Sequence, residues 1–140
     1  MRTSLTRTLA GVVFAAAMVL ALAGPASATP APPRVHTTLS IVQSRNVIKA
    51  GQKDVISGRL VAGHYGLAHK FVYLDRWFSK WVLGRWQGKW VPVRVGLTGP
   101  HGWISFAVWP HVTAHYKLVY RGNQQFAPTH SGVVTVKVVA

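Results

Sequence analysis

Residues 70–97 read KFVYLDRWFSKWVLGRWQGKWVPVRVGL, and the inner part, RWFSKWVLGRWQGKW (76–90), places a basic residue directly before each of four tryptophans: Arg76–Trp77, Lys80–Trp81, Arg85–Trp86 and Lys89–Trp90. No acid interrupts the inner part. If it folds as a hairpin centred on Leu83–Gly84, Trp77 faces Trp90 and Trp81 faces Trp86. Side chains alternate across a strand and opposed residues share a side of the ribbon. All four tryptophans then fall on one face, and Arg76, Lys80, Arg85 and Lys89 on the other. Leu-Gly is not the favoured two-residue turn, which prefers Asn-Gly or a leading glycine. A longer loop around Val82–Arg85, with the Trp pairs only approximately aligned, is the competing reading.

An isolated two-stranded ribbon is marginal in water, and aromatic pairs contribute roughly 0.5–1.5 kcal/mol each beyond area burial. One reading of the tryptophans is therefore ribbon stabilisation and packing. A second is a ligand platform, because exposed rings stack on sugars or bases while neighbouring cations track phosphates or carboxylates. A third is insertion at an anionic membrane surface, where Trp favours the interface and cations favour the lipid. The candidate binding residues are Trp77, Trp81 and Trp86 with Arg76, Lys80, Arg85 and Lys89.

Outward from this stretch the chain shows short β-branched or alternating runs broken by Gly, Asn and Pro, with no sustained helical period. The runs are TTLSIVQ (37–43), KDVISGRLV (53–61), KFVYLDRWF (70–78), one ending in KWVPVRVGL (89–97), GWISFAVWP (102–110), AHYKLVYRG (114–122) and GVVTVKVVA (132–140). About seven strands in some 100 residues point to an all-β, two-sheet antiparallel sandwich. Alternation marks as inward Leu39, Ile41, Val55, Leu60, Val72, Leu74, Val93, Val95, Ile104, Phe106, Val108, Tyr116, Leu118, Tyr120, Val134, Val136 and Val138.

The order of these phrases resembles bacterial Ig-like domains of secreted and surface proteins. Val55–Leu60 matches the second-strand phrase, Thr98 with Gly102–Phe106 the turn and fifth strand, and Tyr116–Gly122 the sixth strand. The resemblance covers residues 37–139 and implies an Ig-like sandwich used as a spacer, stalk unit or binding module. It also implies a structural role for Trp90, where such domains commonly carry a Trp. Gly99 stands where the family usually has Asp, which argues against calcium at this turn.

The N-terminus, MRTSLTR followed by LAGVVFAAAMVLALAG and ASA, reads as a secretory signal peptide of residues 1–28, cleaved after Ala28. TPAPPRV (29–35) reads as a Pro-rich linker and residues 36–140 as the domain. Of 16 Lys and Arg, the leader holds Arg2 and Arg7, leaving 14 against Asp54 and Asp75, a net charge of +12. Such a surface attracts polyanions, including nucleic acid in a non-specific, salt-sensitive way, without specifying a fold. No cysteine is present, so disulfides, thiol catalysis and thiolate metal sites are excluded.

Catalysis finds little to work with. Asp54 and Asp75 are the only acids, no G-x-S-x-G elbow occurs, and Ser57 and Ser105 lie inside expected strands. His111 with His115 and His64 with His69 form loose pairs that lack carboxylates to orient a metal site. The sequence leads to an exported, monomeric, non-enzymatic module without metal or cofactor. Its expected partner is an anionic cell-wall polymer, a glycan, a membrane surface or another protein.

Overall fold

The computed structural model describes residues 30–140, so the expected leader and its cleavage site lie outside the described residues. Among the described residues the elements are β1 (Thr38–Leu39), β2 (Val42–Gln43), β3 (Val47–Lys49), β4 (Asp54–Ala62), β5 (Tyr65–Gly66), β6 (Phe71–Val82), β7 (Arg85–Leu97), a short 3-10 turn (Pro100–Gly102), β8 (Trp103–Val108), β9 (Ala114–Tyr120), β10 (Thr129–His130) and β11 (Val134–Val139). They form two sheets. In the first, β4 is central, flanked on one side by β1 and β2 and on the other by β8 and β5. The second runs β3-β11-β9-β6-β7, with β10 extending the β11 side of β9.

The expected all-β sandwich is what forms. Ile56 and Leu60 of β4 and Ile104 and Phe106 of β8 join Val72, Leu74, Leu118 and Val136 of the second sheet in one buried apolar cluster. Alternation produces this directly, since every second residue of β4 and of β9 is buried. The strand segments outnumber the seven sequence runs because one run is cut in two and three short strands, β3, β5 and β10, form between runs. TTLSIVQ divides into β1 and β2 at Ser40, whose N–H and hydroxyl both donate to the Arg59 carbonyl. Gly58 permits this approach, because a Cβ there would stand 2.3 Å from the Ser40 carbonyl oxygen. The chain then crosses to the other sheet, where β3 runs parallel to β11. Val35, placed by the sequence at the end of the linker, is tied by backbone hydrogen bonds to Gln125 and Ala127.

Three inward assignments are corrected. On β4 the buried set is Asp54, Ile56, Gly58, Leu60 and Ala62, so Val55 falls on the other face and is only half-buried. On β7, Val93 and Val95 are 42 % and 54 % exposed. β7 is the last strand of its sheet, and Gly96, opposite Val72, takes its inner position against Ile104 and Phe106. A bulge follows: Leu74 pairs with Arg94 but Asp75 with Pro92, leaving Val93 as the extra residue.

The end of β7 is fastened by Thr98, which is buried. Its hydroxyl donates to the Leu67 carbonyl and accepts from the Lys70 N–H, while its backbone bonds to His69 and Lys70. Thr98→Val keeps the shape but strands a buried carbonyl and a buried N–H, a cost of about 2 kcal/mol or more. Thermal unfolding followed by circular dichroism should show a drop in Tm of about 9 °C or more.

Candidate tryptophan ribbon

β6 and β7 pair from Phe71↔Leu97 to Val82↔Arg85, whereas β9 accompanies β6 only as far as Arg76↔Tyr116. Among the described residues β6 therefore has β7 as its only strand partner from Trp77 onward, and the two form a ribbon beyond the body of the sheet. The Trp77↔Trp90 and Trp81↔Trp86 pairs expected from the sequence are the pairs observed. The turn is tight after all: Leu83 and Gly84 have φ of 49° and 78°, the positive values that a two-residue type I′ turn requires at both central positions. Gly84 adopts this without strain. Leu83 holds a left-handed conformation that costs an L-residue about 1–2 kcal/mol.

The closing pair Val82–Arg85 spans the hydrogen-bonded ends of the turn, so alternation makes both Trp pairs non-hydrogen-bonded, the kind in which side chains approach most closely. Both pairs pack edge to face with centroids 5.4 Å apart, Trp77–Trp90 at 64° and Trp81–Trp86 at 72°. Between them lies the Ser79–Gly88 pair. The Trp77 ring lies on Gly88, where a Cβ would stand only 2.1 Å from a ring carbon.

The residues divide as alternation demands. Trp77, Trp81 and Trp86 are 37 %, 59 % and 69 % exposed, while Trp90 is half-buried with the Lys117 ammonium 4.6 Å from its ring centroid. Arg76, Lys80, Arg85 and Lys89 lie on the opposite face. Phe78, which the sequence reading passed over, shares that face, with the Arg76 guanidinium 5.1 Å from its ring. Phe78, Lys80, Gln87 and Lys89 line a shallow concavity of about 490 Å³ there. The three exposed tryptophans and the four candidate cations are thus brought to one ribbon but to opposite surfaces of it.

Cations do reach the tryptophan side, from elsewhere in the chain. Lys117 lies opposite Asp75, and the Arg121 guanidinium sits 3.8 Å from the centroid of the Tyr73 ring. These residues were legible only as members of strand runs; the parity shared by Phe71, Tyr73, Trp77 and Trp81 was the signal that could have found the first part of this surface. Burial raises the Asp75 carboxyl above its ordinary value, and the charges of Lys117 and Arg121 pull it partway back.

The remaining polar groups are dispersed. Asp54 is buried at the start of β4, accepting from the Ser44 hydroxyl and the Arg45 and Val55 N–H groups. Asp75 stands on the outer side of the other sheet, so the two carboxylates do not share a site. Ser57 and Ser105 bond to each other across β4 and β8. His115 bonds to the Thr135 hydroxyl, and no group of three or more His, Asp or Glu suited to a metal forms among the described residues.

No family model matches the chain, and no curated protein matches it. Among solved structures it is similar to Spo0M, a sporulation control protein from Bacillus subtilis, with 6 % identity, 74 % of this chain and 49 % of that chain covered, and a TM-score of 0.47. It is also similar to superoxide reductase (neelaredoxin) from Ignicoccus hospitalis, with 13 % identity, 73 % and 80 % coverage and a TM-score of 0.45. The match spans about half the length of Spo0M.

Two outcomes follow from the ribbon. Gly88→Ala forces the Trp77 ring off Trp90, so the far-ultraviolet exciton signal of the coupled indoles should weaken; Trp81→Ala should remove the other pair's share and leave the body's Tm within a few degrees. For Asp75, a folded-state pKa above the unfolded one gives a stabilisation present below the unfolded pKa and lost as pH rises through the folded value. Asp75→Asn should therefore gain in Tm relative to the parent between about pH 3 and pH 7, as differential scanning calorimetry can check.

Proposed function

We propose that this chain is an exported, non-catalytic Ig-like binding module that holds anionic cell-wall polymer or glycan through the tryptophan side of its ribbon. The strand order supports the Ig-like reading: β11, β9, β6 and β7 lie side by side in one sheet, as G, F, C and C′ do in variable-type domains. Export rests on the leader-like N-terminus and the Ala26-Ser27-Ala28 cleavage pattern.

The observation that carries the binding role is the exposure of Trp77, Trp81 and Trp86 on a single face of a ribbon that buries none of them in the core. Packing alone needs no such display, and half-exposed indoles in a row make a contiguous apolar patch of the kind that marks interaction sites. Trp81 and Trp86 stack on the ligand, and the strongly positive chain draws an anionic polymer toward them.

A membrane reading has one specific observation in its favour: Leu83, at the ribbon's apex between Trp81 and Trp86, is 96 % exposed. Double replacement Trp81→Ala/Trp86→Ala should reduce sedimentation with purified cell-wall sacculi about tenfold while the body keeps its Tm. Undiminished sedimentation removes the ribbon from the site. Dye release from anionic but not neutral vesicles, abolished by Leu83→Asn, would instead establish the membrane reading.

A further inference from the structure

The exposed tryptophans are the end of a longer row. β6 alternates without interruption from Phe71 to Val82, because the bulge lies in β7. Phe71, Tyr73, Trp77 and Trp81 therefore project from the same side, the outer face of the second sheet, while Val72 and Leu74 are buried beneath. Ten residue steps at about 3.3 Å make the row roughly 33 Å long. Phe71 is 60 % exposed, and Val95 and Leu97 of β7 flank it on the same face.

Polar groups punctuate the row at its middle. Lys117 and Arg121 bring two positive charges to the outer face, held against the rings of Trp90 and Tyr73. Asp75 lies between Tyr73 and Trp77 on the same strand, directly opposite Lys117. The surface beside it, lined by Asp75, Lys117, Arg121 and His130, is concave, with a volume of about 510 Å³.

We infer that this outer face binds a linear acidic polysaccharide lying along β6, its sugar rings on Phe71, Tyr73, Trp77 and Trp81, its acidic groups at Lys117 and Arg121, and its hydroxyls at Asp75. The inference rests on the ribbon's role in binding and extends it to the body of the sheet. Aromatic rings and cations alone suit a single-stranded nucleic acid equally well, since bases stack and phosphates pair with cations. Asp75 decides between them. A carboxylate in the middle of the row repels any acidic group placed on it, but an acidic polysaccharide carries hydroxyls between its acidic groups that can donate to Asp75 there, whereas the phosphate chain of DNA offers no such donor. The charge of residues 29–140, with 14 basic against two acidic residues, selects an acidic polymer over a neutral one.

The test measures binding of the full domain to polygalacturonate, a linear polymer of acidic sugars, with dextran as the neutral polymer and oligodeoxythymidylate as the nucleic acid. The unaltered domain should bind polygalacturonate more tightly than dextran. Lys117→Gln and Asp75→Leu should each weaken polygalacturonate binding about fivefold or more, and Asp75→Leu should tighten oligodeoxythymidylate binding. Retention of the indole exciton signal and Tm certifies the fold of each variant, and Lys117→Gln stands as the arm that perturbs the core least.

If both substitutions leave polygalacturonate binding unchanged while Trp81→Ala/Trp86→Ala abolishes it, the contact ends at the ribbon and the extended platform is overturned, with the ribbon reading intact. If Asp75→Leu tightens binding to both polymers, the face is a charge array without hydroxyl recognition, and the inference fails. Preference for oligodeoxythymidylate or dextran over polygalacturonate overturns it equally, and loss of wall sedimentation by no ribbon variant sinks the ribbon reading separately.

Discussion

Among the described residues only β7 pairs with β6 beyond Arg76, so the edge-to-face packing of Trp77 on Trp90 and of Trp81 on Trp86 is what keeps a two-stranded extension folded in water. A ribbon of this kind has one hydrogen-bonded neighbour per strand and no core of its own. The two aromatic pairs contribute roughly 1–3 kcal/mol beyond area burial, and the left-handed Leu83 takes back about 1–2 kcal/mol. The pairs therefore offset the turn, and the position of every other ribbon side chain depends on their register. Gly88 is the local condition for it, because the indole of Trp77 occupies the space a side chain would need.

The same alternation has different consequences along one strand. Even positions of β6 are apolar and buried where the sandwich covers them, at Val72 and Leu74, and past its edge they alternate basic Arg76 and Lys80 with the uncovered Phe78 and Val82. Odd positions carry aromatics on both sides of that edge, Phe71 and Tyr73 before it and Trp77 and Trp81 beyond it, with Asp75 and Ser79 between them. A single strand thereby joins a surface built on the rigid body to one built on the ribbon, and the outer face remains continuous while the inner face changes from core to solvent. The cations next to the aromatic face come from β9 and the turn after it, not from the basic residues that precede each tryptophan.

The pairs Trp77–Trp90 and Trp81–Trp86 were legible in the sequence because a hairpin's register follows from its centre alone, a local property. The buried members of β6, β8 and β9 were legible for a similar reason, since a period of two needs no knowledge of neighbours. Val93 and Val95 read as inward by the same pattern and are exposed. Their strand is the sheet's edge, and its bulge and inner Gly96 are set by fit to Leu74, Ile104 and Phe106. Val55 failed because both faces of its strand carry aliphatic residues, and only the opposite sheet selects Ile56.

By itself the sequence determined the all-β composition, the hairpin centre, the separation of tryptophans from their preceding cations and the excess of positive charge, because each depends on residue type and local spacing. Only the tertiary structure decided that β9 stops at Arg76 and leaves a ribbon, and that Trp90 is half-buried while three tryptophans are exposed. It also decided that Lys117 and Arg121 reach the aromatic face. Those outcomes depend on which strands lie side by side, and residues about 40 positions apart in the chain meet there through pairing that no local pattern encodes.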